Sequence, residues 1–182
     1  MRRFAALLAV LALAPAASAV GSNPPGVDSR AVEGATRVGS VSSLEESVVA
    51  AINVVRRENG LQPLRLNARL AVVARDHSLS MAEHGYFSHS SLDGAPFWAR
   101  IRPVYPPLPG RTWSTGENMV WQSPELTAAQ VVDMWLHSAI HRRNLLASRW
   151  REVGVGGVRA VAAPGVFDGL DVTIITADFG VR

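Results

Sequence analysis

The sequence predicts an α+β domain, because two kinds of hydrophobic periodicity occupy different parts of the chain. Up to about Arg149, apolar residues recur mostly at the three- and four-residue spacing of amphipathic helices. Beyond Arg149 the pattern changes to a period of two and becomes rich in Val, Ile and Thr, which is typical of strands. The chain has 182 residues, which is enough for one ordinary domain and too few for two.

The N-terminus has the three parts of a secretory signal peptide. Residues 1–3 carry two Arg, residues 4–13 are apolar and residues 17–19 are small. An uncleaved anchor is the alternative, but the apolar run is shorter than the roughly 20 residues of a spanning helix, so we expect cleavage after residue 19. Residues 20–42 are rich in Gly, Ser and Pro without periodicity, which predicts a flexible leader outside the core. The folded domain would then comprise residues 43–182.

Two helices are expected first in this domain. Ser43 and Glu46 fit a capping box that would open a helix at about 43–59. Asn67 can cap a second helix, which would end near Gly85.

Two further helices are expected in the middle of the chain. Residues 96–102 fit a short helix, followed by a proline-rich surface loop at 103–109. Thr127 and Gln130 fit a second capping box, which would open a helix that could continue as far as Leu145.

The strand pattern predicts an antiparallel sheet of three strands. Two strands are expected at 153–160 and 171–180, joined by a turn-prone segment at 164–169. Residues 119–121 fit a third, short strand.

Composition limits the possible functions. All 18 basic residues are Arg, and the mature chain would be near +1, with 16 Arg against 15 acidic residues. No dense basic run occurs, so we do not expect nucleic-acid binding. Cysteine is absent, which excludes thiol catalysis, thiolate metal sites and disulfides. No other stretch is long and apolar enough to span a bilayer, so we expect a soluble, monomeric mature protein that is secreted or periplasmic.

The candidate functional region combines residues 115–119 with residues 141–146. Glu117 and His141 interrupt segments that are otherwise rich in Val, Met, Trp and Leu. Burying such groups is costly unless they are paired, hydrogen-bonded or bound to a metal, so they mark a candidate site.

An ordered set of short motifs resembles the bacterial branch of the CAP superfamily, which comprises the cysteine-rich secretory protein, antigen 5 and pathogenesis-related 1 group. Each motif is weak alone, but eight follow one another between residues 50 and 180. The motifs are Glu58-Asn59-Gly60-Leu61 with Pro63-Leu64, Ala74 to Met81, Phe87-Ser88-His89, Gly116-Glu117-Asn118-Met119, Trp135 to Ser138, His141 to Leu146, Val153-Gly154-Val155-Gly156 and Phe179-Gly180.

This resemblance implies an α-β-α sandwich with a three-stranded antiparallel sheet between helical layers. It also implies a shallow cavity lined by two histidines and up to two acids, which maps onto His89, Glu117 and His141. The second acid that animal and plant members carry just after the motif tryptophan has no counterpart at residues 135–138.

Three interpretations of the site remain open. His89 and His141, with Glu117, could form a partial shell for zinc. His137 and His141 could instead hold a metal together, if one helix carries both on the same face. In the third, Glu117 only hydrogen-bonds a histidine and fixes the cavity wall.

Two classes of function follow. The first is a binding module for a lipid, a sterol-like molecule or another envelope ligand, with an apolar groove formed by aromatic side chains. The aromatic candidates are Tyr86, Phe97, Trp98, Tyr105 and Trp113. The second is a metal-dependent hydrolase of peptide or cell-wall substrates, with Glu117 as base. We favour binding, because the sequence contains no recognisable nucleophile with its base.

Overall fold

The computed structural model describes residues 37–182, so the predicted signal peptide and residues 20–36 of the leader lie outside the described part. The helices are α1 (Ser42–Glu58), α2 (Ala68–His84), α3 (Phe97–Ile101), α4 (Ala128–His137) and α5 (Ala139–Leu145). The strands are β1 (Arg37–Ser40), β2 (Arg65–Leu66), β3 (Ser114–Gln122), β4 (Glu152–Ala163) and β5 (Leu170–Val181). None of these helices is both long and apolar enough to cross a membrane.

The strands form one sheet in the order β1-β4-β5-β3, and β2 adds a short parallel pairing to β4. The α+β class and the antiparallel pairing of the three long strands are confirmed, but the described sheet has five strands rather than three. The two extra strands, β1 and β2, are only four and two residues long. Strands this short are too brief to show a reliable alternation of apolar and polar residues.

Helix α2 packs closely on one face of the sheet. A Cβ at Gly154 or Gly156 would overlap backbone atoms of α2, so only glycine allows this close approach. Ser78 of α2 donates to the carbonyl of Gly156 (3.1 Å) and bonds the Thr176 hydroxyl (2.9 Å), which joins α2 to β4 and β5.

Helices α1 and α4 cover the opposite face, and together with α2 they give the three layers that the resemblance implies. The buried side chains between these helices and the sheet include Val48, Ile52, Val131, Val132, Trp135, Leu145, Val153, Val155, Ala177 and Phe179. Trp135 also donates from Nε1 to the Met119 carbonyl (3.0 Å), so the indole satisfies its polar group while it is buried.

Two of the three predicted side-chain caps at helix starts are present. The Asn67 side chain accepts from the backbone N–H groups of Arg69 and Leu70, and Thr127 with Gln130 forms the expected capping box. The predicted box at Ser43 is wrong, because α1 begins at Ser42 with Val41 as its N-cap and no side-chain cap.

Helix α4 does not continue to Leu145. It ends at His137, and Ser138 adopts an extended conformation before α5 begins at Ala139. A continuous helical face carrying both His137 and His141 is therefore not formed.

The leader prediction is wrong for residues 37–40. These residues form β1, which pairs antiparallel with β4 from Arg37 opposite Val161 to Ser40 opposite Val158. Val38 also packs against the core cluster that contains Met81 and Phe167. A Gly- and Ser-rich composition does not prevent this pairing, because the hydrogen bonds of a sheet come from the backbone.

The close packing of α2 on β4 makes a stability prediction. We expect Gly156→Ala to lower the free energy of unfolding by about 1–3 kcal/mol, because the added methyl group must displace the backbone of α2. Gly39→Ala is the matched control, since a Cβ there meets nothing within 4 Å, and it should change the stability by less than about 0.5 kcal/mol. Urea unfolding of the two variants measures both effects. Equal stabilities would contradict the packing described above.

Candidate functional site

The candidate site lies at the β3 edge of the sheet. Glu117 projects from β3, His89 comes from the loop after α2, Arg100 comes from α3 and His141 comes from α5. These segments approach from both sides of the sheet, because β3 is the last strand in its order.

Glu117 is the centre of the polar network. Its side chain is only 1% exposed, so its charge needs partners within the protein. His89 donates from Nδ1 to Oε1 of Glu117 (2.7 Å), and Arg100 donates from Nη2 to Oε2 (2.5 Å). Each carboxylate oxygen therefore already accepts a strong hydrogen bond.

Two further bonds fix the loop that carries His89. Buried His77 of α2 donates from Nε2 to the carbonyl of Ser88 (2.9 Å). Arg100 donates from Nη1 to the carbonyl of His89 (2.8 Å), so one guanidinium holds both this loop and Glu117. Burial, followed by the charge of Arg100, lowers the pKa of His77, which favours its neutral form in this position.

His141 faces His89 across the site. Their ring centroids are 6.5 Å apart, and the two planes are tilted by 54°. Burial, and secondly the neighbouring His89, lower the pKa of His141, so this imidazole is neutral at pH 7. Buried Asn118 donates to the backbone carbonyl of His141 (3.0 Å) and accepts from Asn144 (3.0 Å), which ties α5 to β3.

Asp178 is a second acid that the sequence analysis missed. It lies directly opposite Glu117 in the β3–β5 pair and is completely buried. Burial, and secondly the Glu117 carboxylate, raise the pKa of Asp178 well above its usual range, although Arg100 opposes the shift. No N–H or O–H group of residues 37–182 donates to its oxygens, so the charged form of this buried carboxyl has no hydrogen bond to stabilise it.

A cavity of about 1010 Å³ opens beside this network. Its lining combines apolar, polar and basic side chains: His89, Phe97, Gly116, Glu117, Ile140, Arg143, Asn144, Leu146, Ala147, Ser148 and Arg149. The cavity therefore has the carboxylate network in one wall and residues of α5, together with the segment that follows α5, in another. His141 faces His89 but is not itself one of the lining residues.

Only one of the five predicted groove aromatics, Phe97, lines this cavity. Tyr105 is fully buried and donates its hydroxyl to Glu152 (2.5 Å). Tyr86 and Trp113 pack against separate core clusters, and Trp98 is exposed outside the lining. The aromatic groove is thus smaller than expected, because spacing along the chain does not reveal which rings point inward.

Arg56 of α1 holds the backbone of the cavity wall that is formed by the end of α5 and the residues after it. Its fully buried guanidinium donates to the carbonyl oxygens of Leu145 (2.8 Å) and Ala147 (3.1 Å). Since Leu146 and Ala147 line the cavity, this arginine of α1 determines where that wall lies.

The geometry does not provide the three-residue zinc shell. Among residues 37–182, no group of three or more His, Asp or Glu side chains is arranged to hold a metal ion. Both oxygens of Glu117 are engaged by His89 and Arg100, which leaves the two imidazoles as the remaining candidates. His137 is 78% exposed and bonds the Asp133 carbonyl, so the alternative helical pair is not formed.

Comparison with known proteins decides the family. The sequence profile of CAP, the cysteine-rich secretory protein family, matches residues 49–163. The chain belongs to the CAP family. The matched segment includes His89, Arg100, Glu117 and His141 but ends before Asp178.

Bacterial proteins are among the relatives of this CAP domain. It is 34% identical to the uncharacterized protein YkwD and 33% identical to the uncharacterized membrane protein YlbC, both from Bacillus subtilis. The alignments cover 66% and 62% of this chain but only 45% and 31% of those proteins, so the chain spans less than half the length of either.

Solved structures show the same fold. An extracellular protein with an SCP domain from Bacillus anthracis matches with a TM-score of 0.61 and 25% identity, over 78% of this chain and 41% of that one. An outer surface protein from Borrelia burgdorferi matches with a TM-score of 0.59 and 20% identity, over 80% of this chain and 99% of that one.

The raised pKa of Asp178 predicts a pH dependence of stability. A group with a raised folded-state pKa contributes stability that is complete below its unfolded pKa and is lost as the pH rises towards its folded pKa. We therefore expect wild type to lose stability relative to Asp178→Asn as the pH rises above about 4, by up to about 1.4 kcal/mol per pH unit, until the raised folded-state pKa is reached. Asparagine has nearly the same shape as aspartate and has no proton to lose.

Urea unfolding of both proteins at pH 4, 5, 6, 7 and 8 measures this difference. Titrations of other groups largely cancel, because both proteins share them. A stability difference that stays constant over this range would show that Asp178 titrates as an ordinary carboxylate.

Proposed function

We propose that this CAP domain is an exported binding module that holds a partly apolar envelope ligand, such as a lipid or a sterol-like molecule, in the cavity beside Glu117. One observation carries the proposal: the lining of a cavity of about 1010 Å³ includes Phe97, Ile140 and Leu146, next to a carboxylate whose two oxygens each accept a hydrogen bond. Ligand pockets typically have this volume and combine apolar walls with a few polar groups.

The state of Glu117 favours binding over hydrolysis. A general base must accept a hydrogen bond from the group whose proton it removes. Here His89 already donates to one oxygen and Arg100 to the other, so a substrate would compete with two donors for this carboxylate. The network is therefore better suited to fix the cavity wall than to accept a proton from a substrate.

Export is supported by two observations. The N-terminus has the pattern of a signal peptide, and the similar Bacillus anthracis structure is an extracellular protein. An exported CAP domain would meet lipids and other envelope components, which is the ligand class that the cavity lining suits. We expect the mature protein to act as a monomer.

A neutral apolar probe tests the binding function. N-Phenyl-1-naphthylamine should show saturable fluorescence enhancement with the wild-type protein, because the probe buries its rings against the apolar lining. Ile140→Asn should weaken this binding about fivefold, since burial of an aliphatic side chain contributes roughly 1.5–3 kcal/mol when complete and less at an open wall. Ile140 is 71% exposed, so this change should leave the fold intact.

Val166→Asn is the matched control. Val166 is also an exposed aliphatic residue, but it does not line the cavity, so this variant should bind the probe like wild type. Absence of saturable binding, or equal weakening in both variants, would count against a ligand site here.

Zinc binding by His89 and His141 is the second candidate. It is favoured by the bond from His89 Nδ1 to Glu117, since histidines that ligate zinc commonly donate their other nitrogen to a carboxylate. A zinc ion held here would supply the Lewis-acid chemistry of a metal-dependent hydrolase. The neutral form of His141 at pH 7 also suits a ligand.

Calorimetric titration with zinc tests this candidate. If the two histidines hold zinc, binding at pH 7.5 should weaken towards pH 5.5, because imidazoles must lose their proton to ligate. His89→Ala and His141→Ala should each abolish binding, whereas His137→Ala should preserve it. If the wild type shows no heat of zinc binding at pH 7.5, both the zinc site and the metal-dependent hydrolase are rejected.

A further inference from the structure

Two arginines in the cavity lining have no acidic partner. Arg143 on α5 and Arg149 just beyond it both line the cavity and are exposed. No carboxylate of residues 37–182 lies within 4.0 Å of either guanidinium. The sequence between Asp133 and Glu152 contains no acidic residue, so this wall of the cavity carries a local positive charge.

Arg149 is held in place by a buried ring. Its guanidinium lies over the indole of Trp150, 4.1 Å from the ring centroid. Trp150 is fully buried and donates from Nε1 to the carbonyl of Asn144 (2.9 Å), another residue of the lining. A guanidinium that is already ordered loses less side-chain entropy when it binds an anion.

The acid in the opposite wall is already compensated. Glu117 is paired with Arg100 and bonded by His89, so its charge is balanced before any ligand enters. Arg143 and Arg149 therefore leave the lining with an excess of positive charge. Guanidinium groups recognise carboxylate and phosphate oxygens through paired hydrogen bonds.

The rest of the lining suits the apolar part of the same molecule. Phe97, Ile140 and Leu146 all line the cavity, and Ile140 is 71% exposed in the free protein. Apolar side chains grouped in one cavity and rimmed by polar residues are typical of a ligand-binding groove. A ligand that covers these side chains and also reaches the arginines must be both apolar and anionic.

We infer that the cavity selects an anionic amphiphile, with a phosphate or carboxylate head group at Arg143 and Arg149 and an apolar chain against Phe97, Ile140 and Leu146. This inference rests on the proposed binding function and specifies its ligand class. Phosphate and carboxylate sources share the same recognition chemistry, and the experiment separates them.

Calorimetric titrations with short-chain lipids below their micelle concentrations test this selectivity. Dihexanoyl phosphatidylglycerol should bind about tenfold more tightly than dihexanoyl phosphatidylcholine, because only its net negative charge favours the arginines. The preference should shrink when NaCl is raised, since salt screens exposed charges. Laurate tests an apolar chain with a carboxylate head group, and inorganic phosphate tests the phosphate group alone.

Adjacent arginines on α5 provide a matched control. Arg143→Gln and Arg149→Gln should each reduce the affinity for phosphatidylglycerol about tenfold and leave that for phosphatidylcholine unchanged. Arg142→Gln should have less than about a twofold effect, because Arg142 does not line the cavity. Laurate binding that depends on Arg143, without phosphatidylglycerol binding, would support the inference and identify a carboxylate source.

Other outcomes overturn the inference. Equal affinities for the two lipids would reject charge selection while leaving a ligand-binding cavity, as would equal losses in Arg142→Gln and Arg143→Gln. If inorganic phosphate binds as tightly as phosphatidylglycerol, the acyl chains of the lipid do not contribute to binding, and the inference is wrong. If no amphiphile binds and the neutral naphthylamine probe does not bind either, both the proposed binding function and this inference are rejected.

Discussion

The site depends on two buried carboxyl groups that face each other on neighbouring strands. Glu117 of β3 and Asp178 of β5 are direct cross-strand partners in the interior, where two adjacent negative charges would be strongly unfavourable. The surroundings of the two carboxyl groups differ. Arg100 and His89 donate hydrogen bonds to Glu117, while burial and the Glu117 carboxylate raise the pKa of Asp178, which favours its neutral form.

This arrangement organises the surrounding segments. Because Arg100 must reach Glu117, α3 is held near β3, and the same guanidinium fixes the loop that carries His89. On the other side, Asn118 holds the backbone of His141. The cavity therefore lies between two segments that are both anchored to β3, and its chemistry towards ligands comes from the residues of its outer wall rather than from the carboxylate.

Two signals confined to a few residues, the helix caps at Asn67 and Thr127, were predicted correctly, because such a cap depends on neighbouring side chains. The equally local box at Ser43 is absent, because α1 begins one residue earlier. The family resemblance predicted that His89, Glu117 and His141 lie together, and in the structure His89 bonds Glu117 and faces His141. Their role in binding remains a proposal.

Features that depend on register or on distant partners were not predictable. Asp178 stands in an apolar strand, and only the pairing of β3 with β5 shows that it faces Glu117. Arg100 looks like an ordinary helical arginine until its position near Glu117 is known. The strand β1 was missed because backbone pairing requires no characteristic side-chain pattern.

The most direct test of this account is a double-mutant cycle between Arg100→Met and Glu117→Gln, measured by urea unfolding at pH 7. Removing one partner of a buried ion pair leaves the other charge uncompensated, so Arg100→Met alone should cost about 3–5 kcal/mol. The same change in the Glu117→Gln background should cost less, with a coupling free energy of about 1–3 kcal/mol. Additive effects within about 0.5 kcal/mol would contradict the claim that Arg100 compensates Glu117.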